Sequence, residues 1–187
     1  MRTAYIGMGA NLPGPAGPPE ATLAAAAERL NSLGRVTSRS SLYSTTPVGF
    51  AGQPRFFNAA VALETDLAPR PLLETLLGLE REFGRDRSTA IPNGPRTLDL
   101  DILLIDGVAV SEPGLEIPHP RLAERGFALI PLAEIAPQAG DPRTGTTVSQ
   151  WLQRLFPNPT DALQSVAPIQ SVFWRPGAGG CISARED

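Results

Sequence analysis

The sequence contains no lysine, and all 16 of its basic residues are arginine. A phosphate-binding loop of the GxxxxGK[ST] type needs a lysine, so that loop is excluded. Cysteine and histidine are each present once, as Cys181 and His119. An intrachain disulfide needs two cysteines and a zinc cluster needs several such ligands, so both are excluded as well.

Long apolar runs are also missing. No stretch approaches the roughly 20 apolar residues of a membrane span, and the apolar run near the N-terminus stops at Gly7, too early for a signal peptide. The net charge of −3 does not suit a protein that binds nucleic acid through a broad basic surface. We therefore expect a cytoplasmic protein that binds neither membrane nor nucleic acid. Its 187 residues suffice for one domain with a proper core.

Two carboxylates, Asp99 and Asp101, lie among the apolar residues of a predicted strand. Because side chains alternate along a strand, both leave the same face, about 6.5 Å apart. The opposite face is predicted to carry Leu98, Leu100, Ile102 and Leu104. Two charges on so apolar a strand need a compensating cation, and hard divalent ions such as Mg²⁺ prefer oxygen ligands. The alternative is an edge strand whose polar face is solvated.

Arginines close to this strand favour the metal site over the solvated edge. Those in the preceding twenty residues are Arg81, Arg85, Arg87 and Arg96. Guanidinium groups bind phosphate oxygens bidentately, so a cluster beside a metal indicates a polyphosphate ligand. Taken alone, arginines in an exposed loop are commonly just solvated.

Two further groups could bind a ligand. His119 lies between two prolines, with Arg121 and Arg125 nearby at the start of a predicted helix, a place that favours anions. The alternative is a histidine that only closes a turn. Phe56 and Asn58 share one face of a predicted strand, and an aromatic ring beside a carboxamide suits a flat heterocycle. Such pairs also occur in ordinary cores.

Apolar periodicity and turn residues predict strands at 4–9, 35–46, 56–65, around the Asp pair and at 108–110, helices at 20–33 and 71–84, and an interrupted helix at 121–136. The order strand, helix, strand, strand, helix, strand predicts an α+β fold of the ferredoxin-like type, with helices on one side of an antiparallel sheet. Residues 1–157 are predicted to form the domain. Residues 158–187 are predicted to be a tail that is poorly ordered or docks locally through Phe173 and Trp174.

Taken together, these segments resemble the 6-hydroxymethyl-7,8-dihydropterin pyrophosphokinase family of folate synthesis. The matching motifs are Tyr5 to Leu12, Gln53 to Leu63, Glu80, Gly84 to Arg87, Gly94 to Leu103, Ile117 to Arg121 and Pro131 to Pro137. The segment 94–103 is highly specific for the family, and the motifs occur in the family's order.

The resemblance implies an enzyme that transfers the terminal diphosphate of ATP to the hydroxymethyl oxygen of the pterin and releases AMP. It implies that Asp99 and Asp101 hold two Mg²⁺ ions and that the catalytic arginines Arg85 and Arg96 act on the phosphates. The other residues that it assigns to ATP are Glu80, Arg87, Ile102, His119 and Arg125. The pterin site that it implies comprises Thr45, Val48, Phe56, Asn58 and Phe127.

The sequence departs from the family pattern at two positions. Many members have a tryptophan where Asn93 stands, in a loop that is one residue longer here, and a glutamine where Leu77 stands. We still predict an active, monomeric enzyme, because both aspartates and the matching arginines are present. A nucleotidyl- or glycosyltransferase would also use an Asp-x-Asp site, and the same fold class can serve as an RNA-binding module. The missing Gly-Ser lead-in argues against the former, and the acidic strand argues against the latter.

Overall fold

The structure is a computed structural model that describes residues 1–47, 52–88, 91, 94–158, 161 and 166–178. Its strands are β1 (Arg2–Ala10), β2 (Arg35–Arg39), β3 (Leu42–Thr45), β4 (Phe56–Thr65), β5 (Asp99–Ile105), β6 (Val110–Glu112), β7 (Leu115–Ile117), β8 (Val166–Ile169) and β9 (Gly177–Ala178). Its α-helices are α1 (Pro19–Leu30), α2 (Pro69–Glu82), α3 (Gly126–Ile135) and α4 (Val148–Leu155).

Seven of the described strands form one sheet, and every pairing in it is antiparallel. The main path runs β5-β1-β4-β2-β9, and β3 pairs with both β4 and β8. Strands β6 and β7 form a separate hairpin. An antiparallel sheet covered by helices in a single domain confirms the predicted α+β fold class.

Helices cover both faces of the sheet rather than one. Along β4, Val61 and Leu63 belong to a core that includes side chains of α1 and α2. Ala60 and Ala62, which point the other way, belong to a second core with α3 and α4. The expectation that all helices lie on one side is therefore wrong. The second face of β4 gave little signal because alanine carries so little apolar surface.

A bulge in β5 changes one predicted face. Ile102 lies in the first core as expected, but Leu103 and Leu104 both lie in the second. The pairing of β5 with β1 shifts by one residue beside Tyr5, so that Leu103 is the extra residue. The predicted position of Leu104 on the Ile102 face is therefore wrong. Both aspartates precede the bulge and keep the regular alternation.

Two element boundaries differ from the prediction. The single strand expected at 35–46 is divided into β2 and β3, because the register with β4 shifts by one residue between Arg39 and Tyr43. Helix α2 begins at Pro69 rather than at residue 71 and ends before Gly84. The φ of 83° at Gly84 is left-handed, which suits the position just after a helix.

The region expected as one interrupted helix is a 3₁₀ turn at Leu122–Glu124 followed by α3, which begins at Gly126 and contains Pro131. Helix α4 was not predicted. Its start is fixed by a capping box, in which Thr147 Oγ1 accepts from Gln150 N at 3.3 Å and Gln150 Oε1 accepts from Thr147 N at 3.0 Å. The short strand expected at 108–110 is β6, which starts two residues later.

The chain returns to the sheet at 166–178. Strand β8 pairs with β3, and β9 pairs with β2. Trp174 is buried, and its indole Nε1 donates a hydrogen bond of 2.8 Å to the Ser40 carbonyl, whereas Phe173 is half exposed. The division at residue 157 stays a prediction, and Cys181 lies outside the described residues. No helix in the described part of the chain is long and apolar enough to cross a membrane.

Candidate active site

A cleft of about 600 Å³ opens where the ends of β1 and β3 and the starts of β4, β5 and α3 come together. Most of the predicted site residues line it: Thr45, Phe56, Asn58, Arg85, Arg87, Arg96, Asp99, Asp101, His119, Arg125 and Phe127. Val48, together with Asn93, lies outside the described residues. The side chains of Glu80 and Ile102 do not line the cleft, because they are buried beside it, 1% and 5% exposed.

Asp99 and Asp101 project into the cleft from the start of β5. They pair across the sheet with Gly9 and Gly7 of β1, which have no side chains to cover them. A Cβ on Gly9 would lie only 3.1 Å from Asn58 Oδ1. The β1 glycines therefore keep the space beside the carboxylates open.

Three arginines surround Asp99. Arg85 Nη1 lies 2.7 Å from Asp99 Oδ1, Arg96 Nη1 lies 3.5 Å from Oδ2, and Arg87 Nη2 lies 3.9 Å from Oδ1. Arg85 also donates to the Leu98 carbonyl at 2.7 Å, which fixes its guanidinium at the start of β5. Within the described structure, Nε of Arg85 and of Arg96 is buried without a hydrogen-bond partner. The cluster thus brings three guanidinium groups together beside one carboxylate.

Asp101 carries a perturbed carboxyl group. Burial, and next the charge of Asp99, raise its pKa to about 6, although Arg125 Nη1 lies 3.8 Å from its Oδ2. The side chain is 39% exposed, but that surface opens into the cleft rather than onto the protein exterior. A carboxylate whose pKa is raised by burial and by a second carboxylate favours a bound cation.

Glu80 supports the cleft from inside the protein. Its Oε1 accepts from the Leu100 backbone N at 2.9 Å, and its carboxylate receives two N–H groups of Arg87, with the shortest distance 2.6 Å. Burial raises the pKa of Glu80, while these hydrogen bonds and Arg85 lower it. In this arrangement Glu80 joins α2 to β5 and holds the Arg87 side chain. Its predicted contact with ATP, like that of Ile102, stays a prediction.

His119 and Arg125 form a second group of donors. The Arg121 backbone N donates to His119 Nδ1 at 3.1 Å, so a neutral ring carries its proton on Nε2, 3.3 Å from Arg125 Nη1. Burial and the neighbouring Arg125 charge lower the His119 pKa to about 4, which keeps the ring neutral at pH 7. Two donors that face the same space suit an anionic oxygen between them.

An aromatic and amide pocket forms the other half of the cleft. Phe56 and Phe127 both line it, and each has an arginine over its ring: Arg96 at 4.9 Å and Arg125 at 5.7 Å from the centroids. Asn58 Nδ2 donates to Thr45 Oγ1 at 2.8 Å, and both side chains are buried. That bond fixes the carboxamide orientation and leaves Oδ1 as an acceptor on a rigid wall.

Asn11 joins two segments that border the cleft. It was predicted only as part of a motif, not as a site residue. Its Nδ2 donates to Gln53 Oε1 at 3.0 Å and to the Pro54 carbonyl at 3.1 Å. Its Oδ1 accepts from the Arg96 backbone N at 2.7 Å, and its own backbone N donates back to the Arg96 carbonyl at 3.0 Å. The side chain is 3% exposed, and every polar atom of its amide is hydrogen-bonded.

Arg121, which the sequence grouped with His119, also lines the cleft. Several other lining residues were not predicted: Gly9, Thr46, Pro47, Glu124, Gly126, Phe156 and Val166. Most of them adjoin predicted residues along the chain, and that adjacency was the available signal. Phe156 and Val166 follow the recognised motifs and had no such signal.

The ligands in the cleft suit Mg²⁺ better than a metal ion that protein side chains must surround on all sides. In the described part of the chain, no group of three or more His, Cys, Asp or Glu side chains could surround an ion. Asp99 and Asp101 instead offer hard oxygens on one face beside arginines. Mg²⁺ is commonly held by one or two carboxylates, with phosphate oxygens and water completing its shell. The residues therefore fit Mg²⁺ that arrives with a polyphosphate.

Comparison with known proteins gives one consistent family. The profile of the 7,8-dihydro-6-hydroxymethylpterin-pyrophosphokinase (HPPK) family matches residues 5–137. A 2-amino-4-hydroxy-6-hydroxymethyldihydropteridine pyrophosphokinase from Methylorubrum extorquens is 42% identical over 160 residues, which cover 84% of this chain and 96% of that protein. The enzyme of the same name from Bacillus subtilis is 42% identical over 158 residues, covering 81% and 91%.

Solved structures agree on the fold. A crystal structure of Plasmodium falciparum HPPK-DHPS with SDX-DHP superposes with a TM-score of 0.67 at 14% sequence identity, covering 95% of this chain. This chain spans 49% of that longer one. The wild-type HPPK-DHPS structure from the same organism gives a TM-score of 0.62 over 86% of this chain.

Proposed function

Because this chain belongs to the HPPK family and is therefore a diphosphotransferase of folate synthesis, we propose that it transfers the terminal diphosphate of ATP to 6-hydroxymethyl-7,8-dihydropterin and releases AMP. One observation supports this reaction above all. A carboxylate pair, a cluster of arginines and an aromatic and amide pocket line a single cleft. The first two suit a polyphosphate, and the third suits a flat heterocycle.

Two Mg²⁺ ions are proposed at Asp99 and Asp101. Such ions neutralise phosphate charge and help to hold the attacking and leaving oxygens in line. The chain contributes the two carboxylates on one face of β5 and the open space that the β1 glycines leave. This assignment explains why two mutually repelling carboxylates are maintained in a partly buried site.

The arginines are proposed to bind the phosphates. Diphosphate transfer needs little covalent chemistry from the protein, and depends on positioning and on neutralising charge that spreads over phosphate oxygens. Arg85 and Arg96 are held beside Asp99, and both line the cleft. We assign them to the diphosphate in transfer. Arg87 reaches the same place from a more exposed position, 49% accessible, and can change its partners more easily.

His119 and Arg125 are proposed to contact ATP, because both direct donors into the same space. A neutral histidine offers one N–H without adding a second full charge beside Arg125. A phosphate oxygen would accept from both.

Phe56, Phe127 and Asn58 are proposed to bind the pterin, together with Thr45 and Val48. The two rings can cover the faces of the heterocycle, while the fixed Asn58 amide addresses its edge. Arg96 lies over Phe56 and beside Asp99 at once. This position of Arg96 supports a cleft in which the pterin end adjoins the phosphate end, as transfer to the pterin hydroxyl would require. We further propose that the enzyme acts as a cytoplasmic monomer.

Product analysis tests the reaction. The protein is mixed with ATP, Mg²⁺ and 6-hydroxymethyl-7,8-dihydropterin, and the nucleotide products are separated by chromatography. We expect AMP, and only when the pterin is present. ADP would instead indicate transfer of a single phosphoryl group, and pyrophosphate would indicate attack at the α-phosphorus. Either of these products, or no turnover at all, would contradict the proposal.

The carboxylate pair is tested by Asp99→Ala and Asp101→Ala. Each should lower turnover by at least about 10³-fold, because a lost ligand leaves the charge on the phosphates uncompensated, equivalent to about 4 kcal/mol of barrier. Circular dichroism should stay unchanged. Asp106→Asn is the matched control, since Asp106 follows β5, accepts from the Tyr5 hydroxyl and does not line the cleft. Near-normal turnover in either alanine variant would refute the metal assignment.

A further inference from the structure

Two residues that line the cleft, Phe156 and Val166, come from beyond residues 5–137, the part of the chain that matches the family. We propose that Phe156 and Val166 form a wall of the pterin half of the cleft, so that this C-terminal segment sets how tightly the enzyme binds its pterin acceptor. The inference rests on the function proposed above and adds two specificity residues to it.

Val166 completes a row of side chains across three strands. Phe56 of β4 lies opposite Thr45 of β3, and Thr45 lies opposite Val166 of β8. Directly opposed residues point to the same face of an antiparallel sheet. Because neighbouring strands lie about 4.8 Å apart, this row extends the floor of the cleft about 10 Å from β4. The side chain of Val166 is 2% exposed, so its neighbours enclose it.

The row depends on strand β8, which Trp174 anchors to the sheet. The buried indole donates to the carbonyl of Ser40, which lies between β2 and β3. Four residue pairs join β8 to β3, from Thr45 opposite Val166 to Leu42 opposite Ile169. The floor of the cleft beside Thr45 is therefore formed by a strand that is hydrogen-bonded into the sheet.

Phe156 supports the opposite boundary of the pocket. It follows α4, and its ring lies against the backbone of Gly126, where an added Cβ would come within 2.7 Å of the ring. With the ring in this position, residue 126 has no room for a Cβ. Gly126 directly precedes Phe127, the aromatic residue assigned to the pterin. The position of Phe127 is thus set in part by a residue of the C-terminal segment.

Contacts on the pterin side distinguish this wall from the ATP side. Thr45, the neighbour of Val166, accepts the hydrogen bond that orients Asn58. Shortening Val166 or Phe156 should therefore disturb pterin binding more than ATP binding. A purely structural role would lower stability and the active fraction without separating the two substrates.

The test compares steady-state constants of full-length variants in the AMP-release assay. Val166→Ala and Phe156→Ala should each raise KM for 6-hydroxymethyl-7,8-dihydropterin about 5- to 10-fold and leave KM for ATP within about 2-fold. The matched controls are Ile169→Ala, on the other face of β8, and Leu152→Ala, in α4, which pack in the two cores and do not line the cleft. Both controls should leave both KM values unchanged. Phe156→Leu should restore part of the lost affinity.

The outcomes separate this inference from the proposed reaction. If the wild-type protein forms AMP but both alanine variants keep the wild-type pterin KM, the wall assignment is refuted. Equal increases in both KM values, or the same increases in the controls, would also refute it. If the wild-type protein forms no AMP, the proposed reaction fails, and calorimetric binding of the pterin to the same variants decides the inference. Weaker binding only in Val166→Ala and Phe156→Ala supports it, and any other result overturns it.

Discussion

The titration of His119 gives a direct test of the electrostatics in the cleft. His119 is the only histidine of the chain, so its ring signal in an NMR pH titration needs no assignment. We expect a pKa of about 4 instead of the ordinary 6.5, because burial and next the Arg125 charge disfavour the protonated ring. Arg125→Gln should raise this pKa, because it removes one of the two main causes.

The size of the Arg125 effect follows from the geometry. Arg125 Nη1 lies 3.3 Å from His119 Nε2. Two unit charges about 4 Å apart repel by about 4 kcal/mol at an effective dielectric constant near 20, and by about 1 kcal/mol in water. The whole drop from 6.5 to about 4 corresponds to about 3 kcal/mol at about 1.36 kcal/mol per pH unit. Since burial is the largest cause, the Arg125 share must be near the lower figure. We therefore expect Arg125→Gln to raise the pKa by about 1 pH unit.

The same titration predicts a change in stability. Between pH 6.5 and about 4 the unfolded chain binds a proton at His119 that the folded protein does not. Stability is therefore lost as the pH falls through this window, by about 2 kcal/mol once solvent screening of the partly exposed ring is allowed for. Urea unfolding at pH 7 and pH 4.5 should show a smaller loss in His119→Gln than in the wild type. In the NMR titration, a wild-type His119 pKa near 6.5 would refute the reasoning. An unchanged His119 pKa in Arg125→Gln would refute it as well. Arg70→Gln is the control, because Arg70 bonds to Glu112 and Pro113 instead.

Three other substitutions test particular contacts. Arg96→Ala should lower kcat at least about 10²-fold but weaken ATP binding less than about 5-fold, because the Arg96 charge matters most during diphosphate transfer. Equal losses in kcat and in the ATP affinity measured by calorimetry would contradict this prediction. Glu80→Ala should lower the free energy of unfolding in urea by about 3 kcal/mol, because it leaves the buried Leu100 N–H and the Arg87 side chain without their partner. A loss below about 1 kcal/mol would show that the cost of burying the Glu80 charge offsets these hydrogen bonds. Trp174→Phe should lower the free energy of unfolding in urea by about 1–2 kcal/mol, because it leaves the Ser40 carbonyl without its hydrogen-bond donor. Unchanged stability would show that this hydrogen bond does not stabilise the fold.

Local patterns predicted much of the fold and much of the candidate site. The alternation along β4 placed Phe56 and Asn58 on one face, and both residues line the cleft. The Asp pair in β5 also projects as expected, because regular alternation holds as far as Ile102. These features depend on residues two to four positions apart, which is the range that sequence periodicity reports.

The remaining features depend on partners that are distant along the chain. The bulge at Leu103 arises from the register with β1, about a hundred residues away, so the sequence of β5 alone cannot show it. Helix α4 is only 8 residues long, and a short amphipathic segment gives a weak periodic signal. Strand β8 contains Pro168 and pairs with a strand more than 120 residues earlier. Proline in a short segment argues against a strand unless that strand lies at an edge.

Asn11 connects the two sides of the cleft through hydrogen bonds. Its planar amide bonds to Pro54 on one side and to Arg96 on the other, so a movement of either segment away from Asn11 breaks a hydrogen bond. Separating the two segments would break these hydrogen bonds and expose their amide groups, so we expect the segments to open cooperatively. We therefore expect the backbone N–H of Arg96 to exchange with solvent deuterium only when the 52–55 segment is also released. The cleft would then open on both sides at a single rate.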